Sequence, residues 1–370
     1  AIQVDGNLNA QTAQGDLILN DVSVTGDAYL RAADGSGYRD VLLTSLSTGI
    51  NGQLSIDAKN ISLQQSSDIR IGAINTTGAL QLISKDGSIR FNDTSSLDVA
   101  STASLISELD VLDISGDQFV VRGGVTLKAQ NVAVDVTNDL LVNEVDVVDG
   151  GDGNATLTGR SITLAGQVQA PGQVNLTATN GNLITNGAGA RVEGGAVSLT
   201  ATGDMYNASD CRFTDGACVV NTGLDIYTEG SVDVSGTNAY ISIYAENPVL
   251  GAVDAMGNVE LYLSQWSPGV LTQTEAFNVA GNLSIDSRKS TYFNYQNVKL
   301  THADNWLGGQ LELRVGDADI AVASDLDLAT ISTLSSNDGS STGQLKLSSA
   351  GNITANGSKV LSANQFLSAA

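Results

Sequence analysis

His302 is the only histidine among 370 residues, so a Ser-His-Asp or Cys-His arrangement would have to be assembled around the segment THADNW. An imidazole standing alone in a polar stretch has neither a nucleophile nor an orienting partner, and no catalysis is expected from it. Zinc fails for the same reason, since Cys211, Cys218 and one distant histidine do not reach the usual ligand count. The chain contains no GxxxxGK[ST] loop, and no GxGxxG stands between a strand and a helix pattern. The chemistry left to consider belongs to carboxylates, aromatic rings and one cysteine pair.

Forty acidic residues supply pairs that could act as acid and base on a glycosidic bond if neighbouring coils brought them together. Candidates are Asp110 with Asp113, Asp135 with Asp139, and the group Asp146, Asp149 and Asp152. Their alternation with apolar residues reads as the solvated side of strands, which makes a polysaccharide hydrolase or lyase the alternative and a non-enzymatic chain the expectation. The stretch DVVDGGDGNATL adds Gly150, Gly151 and Gly153, which match the glycines of a calcium-binding nonapeptide, but Ala155 stands where that motif needs an aspartate. Calcium held weakly by Asp146, Asp149 and Asp152 is the one metal expectation, and no other cofactor is implied.

Two stretches carry residues suited to recognition. MYNASDCRFTDGACVVNTG, residues 205–223, contains Cys211 and Cys218, close enough for a disulfide to close a short loop bearing Arg212 and Phe213, although two such thiols equally stay reduced. Residues 262–307 gather Tyr262, Trp266, Phe277, Tyr292, Phe293, Tyr295 and Trp306 in a chain that is only 5% aromatic. Flat rings bury area at small entropic cost, so Arg212, Phe213, Trp266, Tyr292, Tyr295 and Trp306 are the candidate ligand contacts. The competing interpretation is a stapled bulge and aromatic packing over an irregular coil.

What must position these residues is a repeat: a glycine, a polar residue, then alternating apolar and polar positions. It occurs as GNLNA at Gly6, GDLIL at Gly15, GQLSI at Gly52, GALQL at Gly78, GQVNL at Gly172, GNVEL at Gly257, GNLSI at Gly281 and GQLEL at Gly309, among others. Strands recur at roughly nine-residue steps inside a coil of roughly 20 to 26 residues, the range of a solenoid. A sandwich or a propeller could also bury such strands. Three features favour an all-β parallel β-helix: stackable Leu, Ile, Val and Ala on the inward phase, mixed Asn, Asp and Gly turns rather than the regular Asn-Gly hairpin pairs a meander would want, and a repeat length that drifts. At about 22 residues per coil the chain would make roughly 17 coils, a rod on the order of 80 Å long.

Composition agrees. Forty glycines, three prolines, 42% hydrophobic and 15% charged residues exclude a helical enzyme, a coiled coil and a disordered chain. A formal charge of -23 repels phosphate backbones and anionic lipid, so neither nucleic acid nor membrane is an expected partner. No run of about 18 apolar residues spans a membrane. AIQVDGNLNAQ has no initiator methionine and no signal-peptide pattern, as expected of a piece of a longer exported protein.

GDLILNDVSVTGDAYLRAADG, GALQLISKDGSIRF, GQVNLTATNGNLITNGA and GGAVSLTATGD resemble the filamentous-haemagglutinin-like exoproteins of bacterial two-partner secretion, including the high-molecular-weight adhesins. The resemblance is one of repeat grammar over nearly the whole chain. It implies a right-handed parallel β-helix with irregular loop insertions, exported through an outer-membrane secretion partner to the bacterial cell surface. It also implies a role in adhesion or biofilm assembly, with a glycan, matrix polysaccharide or cell-surface receptor as partner. On this reading residues 1–204, 224–261 and 308–370 are β-helix coils, 205–223 is the cysteine-bearing insertion, and 262–307 is an irregular aromatic-rich segment. A unit of an extracellular filament is the further alternative.

Overall fold

The computed structural model describes residues 2–34, 37–45, 47–91, 94–148, 153–214, 217–220, 223–263, 269–287, 295–333, 343–355, 360–361 and 364–369, with backbone alone at 34, 210–214, 217–220, 360–361 and 364–369. Among them the only helical element is the 3-10 turn Ala208–Asp210; the rest is strand and turn. Strand Ile61–Gln65 pairs with Leu80–Ser84, that strand with Ala103–Ser107, and that one with Val125–Ala129, every pairing parallel and in unbroken register. A chain that returns to one ladder after each coil, always in the same direction, is a parallel β-solenoid. Two antiparallel hairpins leave the ladder, one joining Ala33 to Tyr38 and one pairing Cys211–Thr214 with Ala217–Val220. No helix among the described residues is long and apolar enough to cross a membrane.

The chain forms two compact units, residues 1–173 and 174–370. In the first, register stacks Leu43, Leu63, Leu82, Leu105, Leu127, Val145 and Val168 into one column of buried side chains. In the second, Leu224, Ile241, Leu261, Ile285, Leu313 and Ile331 do the same. Period-two alternation puts these residues inside, and the 4.8 Å rung spacing sets each aliphatic group on its neighbour. Burying one such side chain contributes about 1.5–3 kcal/mol.

Strand ends turn inward on hydroxyls instead of aliphatics. Ser84 and Ser107, both fully buried, donate through Oγ to the carbonyls of Ser67 and Gly87, each at 2.8 Å, so the polar atoms at the corner are satisfied.

The glycine-polar pair that opens each repeat has a structural cause. Asn258 Oδ1 accepts the backbone N–H of Asn282 at 2.8 Å, and Asn282 Oδ1 accepts that of Gln310 at 2.8 Å. Asn7 to Asp27, Asp27 to Gln53, Asn182 to Asp204, Asn238 to Asn258 and Asn297 to Asp317 repeat the bond on other rungs. The accepting side chain lies where the next rung's glycine would carry its Cβ: at Gly309 that atom would stand 2.5 Å from Asn282 Oδ1. A glycine and the Asn or Asp of the preceding rung are thus two halves of one inter-rung contact.

Residues 205–207 continue the ladder, with Met205–Asn207 pairing parallel to Leu183–Thr185, so the excursion begins at 208. Within 262–307, strands Phe277–Val279 and Leu283–Asp286 run in parallel register with rungs before and after them. The inward alternation of Phe277 with Val279 and of Leu283 with Ile285 persists beneath the aromatic composition. Buried Asn305 ties the turn before Trp306 to its surroundings, donating to the carbonyls of Leu300 at 3.2 Å and Ala321 at 3.0 Å and accepting the Phe277 N–H at 3.0 Å.

Candidate functional site

Inward residues of a solenoid are committed to packing, so candidates for recognition stand on the outward phase. Strand Ala239–Tyr244 alternates Ala239, Ile241 and Ile243 inward with Tyr240, Ser242 and Tyr244 outward. Register then builds three adjoining outward columns in the second unit: Tyr240, Glu260, Ser284 and Glu312; Asp225, Ser242, Tyr262, Asp286 and Arg314; and Glu193, Tyr227 and Tyr244. The first two share strands at every rung from 240 to 314.

Tyr227 and Tyr244 lie face to face, with ring centroids 4.4 Å apart and planes 5° from parallel. The Arg191 guanidinium covers Tyr227 at 5.4 Å from its centroid. Tyr227 remains 36% exposed, which leaves a planar edge at the surface. Adjacent tyrosines at the rung spacing stack because ladder register sets their Cα atoms about 4.8 Å apart.

In the Tyr240 column, on the rungs that follow Tyr240, a cavity of about 130 Å³ opens, lined by Asn258, Glu260, Asn282, Ser284, Gln310 and Glu312. Burial pushes the Glu260 carboxyl above the usual carboxylate range; the Tyr262 hydroxyl, donating at 2.9 Å, opposes this, and the Glu312 charge adds to it. Arg314 pairs with Glu312 at 2.9 Å and approaches Asp286 at 3.7 Å. Burial first, then the Glu260 charge, raises the Tyr240 and Tyr262 hydroxyls above the ordinary tyrosine range, so both remain hydrogen-bond donors at neutral pH. Ser242, although on the outward phase, is fully buried. The arrangement offers tyrosine ring edges, hydroxyl donors and carboxylate acceptors on one outward phase.

Of the ligand contacts singled out from sequence, the structure describes the side chains of Trp306 and Tyr295. Trp306 is 42% exposed but belongs to a different ladder, in register with Asn278 and Asp254. Tyr295 is half-buried in the turn preceding Asn297–Leu300. Trp266, Tyr292, Asp149 and Asp152, and the side chains of Arg212, Phe213, Cys211 and Cys218, lie outside what the structure describes. Hairpin register sets Cys218 opposite Phe213 and Cys211 opposite Val220. Asp146 accepts the Lys128 ammonium at 2.5 Å, and among the described residues no group of three His, Cys, Asp or Glu could hold a metal ion. Asp139 is held below the usual carboxylate range by its hydrogen bonds with Arg160, and Asp110 binds Ser88 Oγ at 2.8 Å. His302 Nδ1 accepts the Asp304 N–H at 3.2 Å within its turn.

Tyr227, Tyr240, Tyr244, Glu260 and Arg191 did not emerge from sequence. The available signal was Tyr240 and Tyr244 on the polar phase of AYISIY, with Glu260 and Tyr262 on the polar phase of VELYL one coil later.

Fold and face together define a parallel β-solenoid repeat protein. Residues 238–314 match a family described as repeats of unknown function (DUF5649), a span of about a fifth of the chain that carries Tyr240, Glu260, Tyr262, Asp286, Glu312 and Arg314. Comparison with curated proteins and with solved structures yields no match.

Proposed function

We propose that the chain is a non-enzymatic β-solenoid segment of a secreted bacterial adhesin of the filamentous-haemagglutinin-like kind, which holds a glycan or matrix polysaccharide against the tyrosine and carboxylate face. The observation that carries this reading is the stacked pair Tyr227 and Tyr244, with Arg191 over it, on the outward phase that two columns away holds the cavity of Glu260 and Glu312. Coil packing does not require aromatic rings on the outward phase, whereas a sugar does pack its C–H groups against aromatic surface rimmed by hydroxyl and carboxylate partners. The test is a glycan and matrix-polysaccharide screen of the purified chain, with calcium and with chelator, following both retained ligand and released product. Retained ligand without product, weakened roughly tenfold by Tyr227→Ala or Tyr244→Ala, supports the proposal. Binding unchanged in both variants removes this face from it.

One observation favours a second reading. Glu260, raised by burial, and Glu312, paired with Arg314, line one cavity from rungs two apart, as an acid and a base flanking a glycosidic bond would. New reducing ends that disappear in Glu260→Gln would establish hydrolysis in place of adhesion.

A further inference from the structure

In the first unit, Arg70 and Arg90 are direct register partners on adjacent rungs, flanked by Gln53 on one side and Asp113 on the other. Elsewhere, adjacent rungs set a cation near a carboxylate: Lys85 with Glu108, Arg122 with Asp98, Lys128 with Asp146, Arg160 with Asp139, Arg314 with Asp286 and Lys346 with Asp319. Like charges directly opposed on a ladder destabilise it, so in a chain with 40 acidic and 17 basic residues this juxtaposition runs against both local energetics and composition. Arg70 reaches only Asp68, at 3.8 Å with both side chains largely exposed, and Arg90 forms no ion pair with any described residue.

Arg70 and Arg90 line a cleft of about 420 Å³ together with Asp27, Gly52 and Gln53, and Arg70 also borders a second cleft of about 550 Å³ over the turns at 66–68 and 86–87. Four acidic residues adjoin the pair: Asp27 Oδ1 accepts the Gln53 N–H at 2.8 Å and Asp68 Oδ1 accepts the Ser88 N–H at 3.0 Å, while Asp86 lines the second cleft and Asp113 stands opposite Arg90 in register. Turn 66–68 is pinned from inside by buried Gln65, whose Nε2 donates to Ser67 O at 3.2 Å. The pocket wall is therefore fixed while the two planar forks face solvent.

We infer that Arg70 and Arg90 form a carboxylate site for an acidic polysaccharide, one uronate carboxylate seated between the two guanidinium groups and the flanking sugars lying in the two clefts. Planar forks suit a carboxylate bidentately. The surrounding charge of -23 selects a polymer of sparse charge, one carboxylate per sugar, over duplex DNA with one charge per about 1.7 Å. Tethered Asp27 keeps its second oxygen for a sugar hydroxyl. This site is independent of the tyrosine face and stands or falls separately from it.

The experiment titrates the whole chain with oligogalacturonate in chelator at two salt concentrations. The same polymer reduced to neutral galactan, dextran sulfate and duplex DNA serve as comparisons. Expected are binding of oligogalacturonate that weakens with salt, little binding of the neutral polymer, and a loss of roughly tenfold in Arg70→Ala and in Arg90→Ala, with Arg90→Lys also impaired because the fork is lost. Ligand should raise the melting temperature of the native chain and leave that of Arg70→Ala unmoved. Equal binding of oligogalacturonate and neutral galactan, equal binding of dextran sulfate or DNA, or unchanged affinity in the arginine variants would each overturn the proposal.

Discussion

The side-chain oxygen of Asn282 receives the backbone N–H of Gln310 at 2.8 Å and stands 2.5 Å from where Gly309 would carry a Cβ. The repeat's glycine therefore answers to the rung below it. Turn flexibility is not the reason at this position, since Gly309 is not in the left-handed region.

This contact predicts which glycine substitutions can be rescued. A Cβ on Gly251 would meet only the side chain of Asp233, whereas one on Gly309 would also meet the Gly281 carbonyl. Gly251→Ala should cost about 1–3 kcal/mol, and much of that should return in the double variant with Asp233→Ala. Gly309→Ala should not be restored by Asn282→Ala. Denaturant midpoints of the four single and two double variants decide it.

Burial of the aliphatic columns sets the scale of stability. Leu105→Ala, in the middle of the Leu63, Leu82 and Leu127 column, should cost about 2–5 kcal/mol. Leu176, 1% exposed, should tolerate a carboxylate still less, so Leu176→Asp should unfold its neighbouring coils. Hydrogen exchange would show the loss spreading outward from the substituted rung, and an unchanged thermal transition would mean that the inward row is wrongly assigned.

Glu260 gives a pH dependence of definite sign. Its carboxyl is raised in the folded chain, so the folded state holds more protons than the unfolded one above the ordinary glutamate range, about 4.3, and this group's contribution to stability falls as pH rises through that window. Glu260→Gln should therefore gain melting temperature relative to the native chain between pH 4 and pH 7. A difference independent of pH would show that the carboxyl is not desolvated.

Tyr227, Tyr240 and Tyr262 are each raised, chiefly by burial. Ultraviolet titration of the folded chain should leave part of its tyrosine unionised above pH 10, and Tyr262→Phe should shrink that fraction. Because the folded state keeps these protons longer than the unfolded state, stability should fall as pH rises beyond 10, less steeply in the variant.

Period-two alternation behind a glycine and a polar residue was enough to read the architecture, because both the inward column and the inter-rung glycine contact follow from local order along the chain. Asp139 and Asp146 were legible as acids on a solvated face, where each meets a cation of the adjacent rung. Aromatic enrichment at 262–307 was legible as composition, yet Trp306 and Tyr262 fall on different ladders.

Which outward side chains meet was decided by register alone. Glu193 and Tyr227 are 34 residues apart and Tyr227 and Tyr244 only 17, yet each pair occupies adjacent rungs in one column. Coils absorb insertions in their turns without moving the ladder, so separation along the chain carries no fixed relation to stacking. The amino-acid order thus determined that strands would alternate and stack. Only the tertiary structure placed Tyr227 on Tyr244, Glu260 near Glu312 and Arg70 against Arg90, because those meetings depend on the length of every intervening turn.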